Sequence, residues 1–574
     1  MSFRTRPITL VLLLGLSFML NPFAPFTPLA GADTGEGNWI ETEGVALATG
    51  NALGDYFGSA VSLSADGTVV AVGSPFDGDG TRTGKVTVFA YSLGTWTQQG
   101  TPLPGDGADD QFGTAVSLSG SGTRLAVGAI GDDDGGSDAG HVRVFEFSGG
   151  AWGQIGPDID GAGNGDNFGS AVSLSTDGLR LAVGSPKHGV LDAGQSSVYL
   201  WNAGASTWDV MGSAIAGEAN DDLSGTSIAL DADGDMVAIG APHNDDGGVR
   251  SGHVRVFGWN GGAWVQQGTD IPGEAAGDKA GTSVSLSATG TRVVIGAPAH
   301  SLGGTAADAG QARVYSYAAS TWTQVGSDIV GASAGEALGS AVGISRDGAR
   351  IIVGSPTDDG GGNDAGTVRV FDEVAGAWES RGSSIPGTEV GEEQGSAVAL
   401  SGDGNTIAVG APRNDAGGTD SGAVSVYRYL LAVHDSTGAE SVVAGAPGIY
   451  LHVAGPVGRQ VEGSPVYYGS DRVLHASTFL LQLTPAGSGP GQSQSQSQSQ
   501  SQSQSAITLA SGSVDARGNL ESRIVLPALG AGTYDVVFSG RHLGGHGLRL
   551  TARIVVGEAG DYRQIVANIP GIFE

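Results

Sequence analysis

The chain has 574 residues, with 59 acidic against 27 basic side chains for a formal charge of −32, and it contains no cysteine. That charge repels phosphate backbones and anionic lipid, which argues against nucleic-acid binding and direct membrane insertion. The lack of cysteine excludes disulfides, catalytic thiols and zinc–thiolate sites.

Arg4 and Arg6 open the chain, Ile8 to Leu20 is an apolar run, and Ala30-Gly31-Ala32 has the small-x-small pattern of a cleavage site. Residues 1–32 are therefore expected to be a signal peptide, which places the protein outside the cell or at its surface. Its removal takes the formal charge from −32 to −34.

The rest of the chain, to Tyr429, is dominated by a repeat. Gly-Ser/Thr-Ala-Val-Ser-Leu-Ser and its variants start at Gly58, Gly113, Gly169, Gly225, Gly281, Gly339 and Gly395, in steps of 55 to 58 residues. A second marker, the glycine of Val/Ile-Gly-Ala/Ser-Pro and its variants, falls at Gly73, Gly128, Gly184, Gly240, Gly296, Gly354 and Gly410 with the same steps. Two markers in lockstep mean one supersecondary unit repeated seven times.

Each unit reads as four strands. The first, as in Ser170 to Ser175, is built of small and β-branched residues; the second, as in Arg180 to Gly184, is densely apolar. The third alternates in His141-Val142-Arg143-Val144-Phe145, and the fourth follows a tryptophan, as at Trp152. Glycine recurs between strands one and two, at Gly67, Gly122, Gly178, Gly234, Gly290, Gly348 and Gly404, where a tight turn demands positive φ. Four-stranded units repeated radially predict an all-β fold, a seven-bladed β-propeller of four-stranded blades. The seventh unit lacks its tryptophan strand, and Asn38-Trp39-Ile40 ahead of the first supplies a matching one. The ring is expected to be closed by this N-terminal strand.

The motifs resemble the FG-GAP repeat of integrin α-subunit propellers and of secreted bacterial proteins. Phe57-Gly58, Phe112-Gly113 and Phe168-Gly169 carry the first element; Gly240-Ala241-Pro242, Gly296-Ala297-Pro298 and Gly410-Ala411-Pro412 carry the second. Ser224, Ala280, Leu338 and Gln394 replace the phenylalanine in the later units. The resemblance implies a recognition or adhesion role through the loops of one face. The family's calcium loop between strands one and two does not carry over, because turns such as Ala65-Asp66-Gly67 are too short to wrap an ion.

The acidic segments lie instead between strands two and three. Asp132, Asp133, Asp134 and Asp138, then Asp245 and Asp246, then Asp358, Asp359 and Asp364, then Asp415 and Asp420 are the candidate calcium ligands, and calcium is the one cofactor suggested. Asp-Gly is also ordinary turn chemistry. His188, His243 and His300 follow the second-strand glycine by three or four residues and would form a site if their loops converged. His141 and His253 begin strand three where other units carry Lys85, Gln311 or Thr367, and read as solvent-facing.

Beyond Tyr429 the period stops. Apolar strands at Gly448 to Val453, Phe479 to Leu483, Ser522 to Leu526, Thr533 to Phe538 and Leu548 to Val556 flank a Gln-Ser tract at 491–505. Val514-Asp515-Ala516-Arg517-Gly518 and Ala531-Gly532-Thr533-Tyr534 resemble bacterial immunoglobulin-like modules. The expected organisation is a propeller over 33–430 and a small β-sandwich-like domain over 431–574 with the tract inserted; the alternative is two small segments joined by the tract as a tether.

No His-Glu-x-x-His, nucleophile elbow or phosphate-binding loop occurs, so the chain is not expected to be an enzyme. The leading expectation is an extracellular protein that binds a protein or glycan through its acidic loop face. The alternatives are a secreted polysaccharide-active propeller enzyme using loop carboxylates and a structural cell-envelope component.

Overall fold

The computed structural model describes residues 38–42 and 53–430 apart from 79, 93–94, 190 and 303–306, and elsewhere only the backbone of short strands, at 48–49 and beyond 430. Residues 1–32, Gly448 to Val453, Ser522 to Leu526 and the Gln-Ser tract lie outside the described residues. Contacts divide the chain into a unit over Trp39–Arg428 and a second over Met1–Asn38 with Tyr429–Glu574. No α-helix occurs among the described residues.

The first unit is a ring of seven antiparallel blades. In blade three, Ala171–Leu174, Arg180–Ser185, Gln195–Asn202 and Thr207–Val210 pair in that order, with Val172 opposite Val183 and Trp201 opposite Trp208. The fourth strand then breaks at Gly212 (φ +78°) and resumes as Ile215–Ala216 against the start of the third. Blade seven takes its first three strands from Ala397–Leu400, Thr406–Ala411 and Ala423–Leu430. Asn38–Glu41 lies in the fourth position, and Ala48–Thr49 fills the resumed segment opposite Val424 and Ala423.

Packing explains the sequence pattern. Second strands such as Val69–Ser74 and Thr406–Ala411 are buried along their whole length between blades, and each Val, Leu or Ile side chain there contributes roughly 1.5–3 kcal/mol. First strands touch one another around the centre, where their serines fit: Ser62, Ser117 and Ser173 Oγ accept the backbone N–H of Leu118, Leu174 and Leu230 of the next blade. Outside, each tryptophan is tied to the preceding blade. Trp152 Nε1 donates to Gln99 O (2.9 Å), Trp264 to Met211 O (2.8 Å) and Trp39 to Arg381 O (2.8 Å).

The two sequence markers meet each other. A Cβ on Gly240 would stand 2.1 Å from Gly281 O, one on Gly296 1.9 Å from Gly339 O, and one on Gly410 2.1 Å from Gly58 O. The second marker of one blade thus abuts the first marker of the next, with blade seven against blade one.

At one end, the turns between strands one and two form a closed girdle of seven backbone hydrogen bonds. Ala65 N–H donates to Gly120 O, Gly120 to Thr176, Thr176 to Ala232, Ala232 to Ala288, Ala288 to Arg346, Arg346 to Gly402 and Gly402 back to Ala65, at 2.8–3.1 Å. Every turn glycine has positive φ, from +63° at Gly290 to +74° at Gly348. The Arg346 side chain also reaches from blade six to Thr176 Oγ1 of blade three, at 3.2 Å.

In the second unit, five strands form one antiparallel sheet in the order Ile507–Ser513, Thr478–Pro485, Gly532–Arg541, Gly547–Val556 and Tyr562–Ala567. The strands on either side of the Gln-Ser tract therefore pair with each other.

Candidate functional site

At the end of the ring opposite the tight turns, the loop joining strands two and three of each blade bonds to the loop entering the next blade. Asp109 N–H donates to Thr81 O (2.7 Å), Gly165 to Ser137 O (2.8 Å), Asp221 to Leu191 O (2.6 Å), Gly277 to Val249 O (2.9 Å) and Gly391 to Asn363 O (2.9 Å). Gly54 N–H closes this second ring on Thr419 O at 3.0 Å. The loops are held by the backbone, so their side chains are presented from a fixed frame.

Many of the acids belong to that frame. Asp55, Asp110, Asp166, Asp222, Asp278, Glu336 and Glu392 are all buried, each three residues before the first marker glycine. Where bonds are formed they cap the loop: Asp222 accepts from Ala219 N–H and Asp278 from Ala275 N–H, both at 2.8 Å. Burial pushes the Asp110 carboxyl above the ordinary carboxylate range, and its neighbours Asp106 and Asp132 add to the effect. This sevenfold carboxylate was present in the sequence at constant spacing but is not an expected site residue.

The proposed calcium ligands are also turn builders. Asp133, Asp245, Asp359 and Asp415 each accept, through Oδ1, the N–H five residues on, at 2.7–2.9 Å. Those donors, Asp138, Arg250, Asp364 and Asp420, have φ near +50°. Asp132 Oδ1 holds Asp134 N–H at 3.0 Å, and Asp358 Oδ1 takes both Gly360 N–H (2.8 Å) and Thr367 Oγ1 (2.9 Å). An Asx-type turn of this kind needs the carboxylate in every such loop. Among these candidates, Asp246 and Asp132 each stand in a cluster with a histidine and at least one other acid, with one ligand atom from each residue within 4.8 Å of the others.

His188, His243 and His300 sit in separate blades, each facing an acid 22 residues upstream: Asp166 (2.8 Å), Asp221 (3.6 Å) and Asp278 (3.1 Å). None belongs to a metal-ligating group among the described residues.

His141 and His253 correct the sequence reading. They are buried, with 0% and 1% exposure, at a strand start flanked by strand two and the resumed fourth strand. His253 is opposite Ala241 on one side and Pro272 on the other. Alternation along a strand does not reveal this, since the covering segment is a two-residue bridge from another part of the chain.

Exposed apolar side chains stand among the loop acids: Leu53 (75%), Val390 (74%), Val249 (69%) and Leu191 (64%). Elsewhere, a cavity of about 430 Å³ is lined by Asp270, Glu274, Arg313, Tyr315 and Trp322, among others.

Radial four-stranded blades with closed backbone girdles define a seven-bladed β-propeller. The FG-GAP repeat family model matches three segments of it, residues 42–89, 96–145 and 388–427. A search of curated proteins returns no match. Among solved structures, a candidate 6-phosphogluconolactonase from Bacteroides uniformis is similar at TM-score 0.40 and 15% identity, over 57% of this chain and 85% of that one. Raptor from Chaetomium thermophilum is similar at TM-score 0.42 and 10% identity, over 69% of this chain and 29% of that one. Both similarities are too distant to assign a function.

Proposed function

We propose that the chain is an exported recognition or adhesion protein whose propeller binds a partner through the face carrying the two-to-three and four-to-one loops. The carrying observation is the contrast in that face: exposed Leu53, Leu191, Val249 and Val390 stand among carboxylates on a hydrogen-bonded frame. Exposed apolar groups inside a charged rim are what a protein interface presents before its partner arrives. The acidic surroundings select a basic partner and speed the encounter. Loops between strands two and three differ in length from blade to blade, whereas the tight turns at the other end do not, and variable loops on a rigid scaffold are where binding specificity resides. FG-GAP propellers as a family fit such a role. Of the expected partners, these apolar groups favour a protein over a glycan.

The test is capture of the full chain on immobilised extracellular proteins and glycans, with Val249→Glu and Val390→Glu as loop-face variants and Val210→Glu, on an outer strand, as control. Loss of binding in the first two with unchanged melting supports the reading. Turnover of a polysaccharide, abolished by one carboxylate substitution, would overturn it in favour of a secreted enzyme.

A further inference from the structure

In three blades the first residue of strand three gives a donor or a cation to the loop acids. Lys85 pairs with Asp77, Gln311 Nε2 donates to Glu274 Oε2 at 2.9 Å, and Thr367 Oγ1 donates to Asp358 Oδ1 at 2.9 Å. In blades two and four the residue is histidine, and neither ring nitrogen of His141 or His253 makes a hydrogen bond.

The blade-four arrangement is the more complete. Glu218 comes from the loop entering the blade, Asp246 from the loop between strands two and three, His253 from strand three and Asp270 from the segment after strand four. One carboxylate oxygen from each acid and one ring nitrogen of His253 lie within 4.8 Å of one another. The His253 ring is 1% exposed, and its Nδ1 stands 3.9 Å from Glu218 Oε2, beyond hydrogen-bond reach. Arg255 Nη1 stands 3.5 Å from Glu218 Oε1. A buried imidazole with both ring nitrogens unpaired, beside three carboxylates, leaves polar atoms unsatisfied. A cation at their centre resolves this, and a divalent one balances the three carboxylates together with Arg255.

We infer that Glu218, Asp246, His253 and Asp270 form a binding site for one divalent transition-metal ion, of the Zn²⁺ or Mn²⁺ class. Mixed imidazole and carboxylate ligands suit these ions, whereas Ca²⁺ and Mg²⁺ take oxygen alone. Ligand atoms about 2 Å from one ion lie roughly 3–4 Å apart, close to the spacing here. Blade two holds a three-ligand version in Asp106, Asp132 and His141, whose Nδ1 is 3.0 Å from Asp132 Oδ2 without hydrogen-bond geometry. The site does not depend on whether the loop face captures a partner.

The test is titration of the metal-free full chain with ZnCl₂ and MnCl₂ by calorimetry, with bound metal counted by elemental analysis after dialysis. The variants are His253→Gln, which copies blade five, and Glu218→Gln on the loop. Wild type should bind one ion tightly and a second more weakly, with a rise in melting temperature. Each variant should lose the tight equivalent, or weaken it by roughly tenfold or more, while its metal-free melting is unchanged. Should His253→Gln fail to melt cooperatively, Glu218→Gln reads the same loss. Absence of saturable binding to wild type overturns the inference, as does full wild-type stoichiometry in Glu218→Gln, or binding of CaCl₂ alone that is indifferent to both substitutions.

Discussion

The two ends of the propeller are closed by the same device and filled in opposite ways. At the tight-turn end, seven short hairpins link through Ala65, Gly120, Thr176, Ala232, Ala288, Arg346 and Gly402, and the residue that opens the turn is serine in six blades. At the loop end, longer connections of unequal length link through backbone bonds such as Gly277 N–H to Val249 O, and carboxylates fill the turns. Backbone closure at both ends frees the loop side chains from holding the ring together. That is how one end can carry strong charge and exposed apolar groups without loosening the fold.

The largest expected effect comes from breaking what both ends share. Trp39→Ala removes a buried indole and its bond to Arg381 O, and should cost about 4 kcal/mol in urea unfolding. Trp208→Ala, in an interior blade, should cost a similar amount. A much smaller loss at Trp39 would show that the girdles close the ring without the N-terminal strand. Gly240→Ala sets a Cβ 2.1 Å from the Gly281 carbonyl, and should cost about 3 kcal/mol by forcing two blades apart. Substituting Gly54, whose Cβ would meet nothing within 4 Å, should cost less.

At the tight-turn end, Asp231 stands where the other six blades have serine, and accepts the N–H groups of Asp235 (3.0 Å) and Met236 (3.1 Å). Burial, partly offset by those bonds, raises its pKa from 3.8 to about 6. A carboxyl with a raised folded-state pKa favours the folded state while protonated, and this contribution is lost as pH rises from about 4 through 6. Asp231→Ser should therefore stabilise the protein by about 2 kcal/mol at pH 7. The gain should vanish below pH 4 in melts run across that range. A pH-independent gain would assign the effect to packing instead.

The smallest effect belongs to the loop end. Asp133→Ala deletes one turn acceptor for Asp138 N–H, at about 1 kcal/mol. Because each of these four bonds lies within a single loop, Asp133→Ala, Asp245→Ala, Asp359→Ala and Asp415→Ala should add when combined. Strong non-additivity in calorimetric melts would mean that the loop end is one cooperative network.

Much of the fold is legible from residues alone. Paired markers such as Gly240 and Gly281 announce the repeat, and the turn glycines announce the hairpins, because positive φ and backbone contact each restrict a position to glycine. The site was less legible. Asp133 and Asp245 look like metal ligands in a list of acids, yet their carboxylates are used within their own turns. The seven buried acids beginning at Asp55 were equally periodic but were masked by the abundance of other carboxylates. His253 looked interchangeable with Lys85 and Gln311, and in position it is. It is buried nonetheless, at a strand start paired with the two-residue segment Ile271–Pro272, which no strand pattern marks.

The sequence by itself determined the number of blades, their four-strand order and the glycines at which they meet, since each follows from local conformation repeated at a fixed interval. Only the tertiary structure decided which polar groups are left for chemistry. Hydrogen-bond partners come from segments tens of residues apart, as when Glu218, Asp246 and Asp270 gather around His253. Burial and pairing are properties of that assembled environment, and no residue carries them alone.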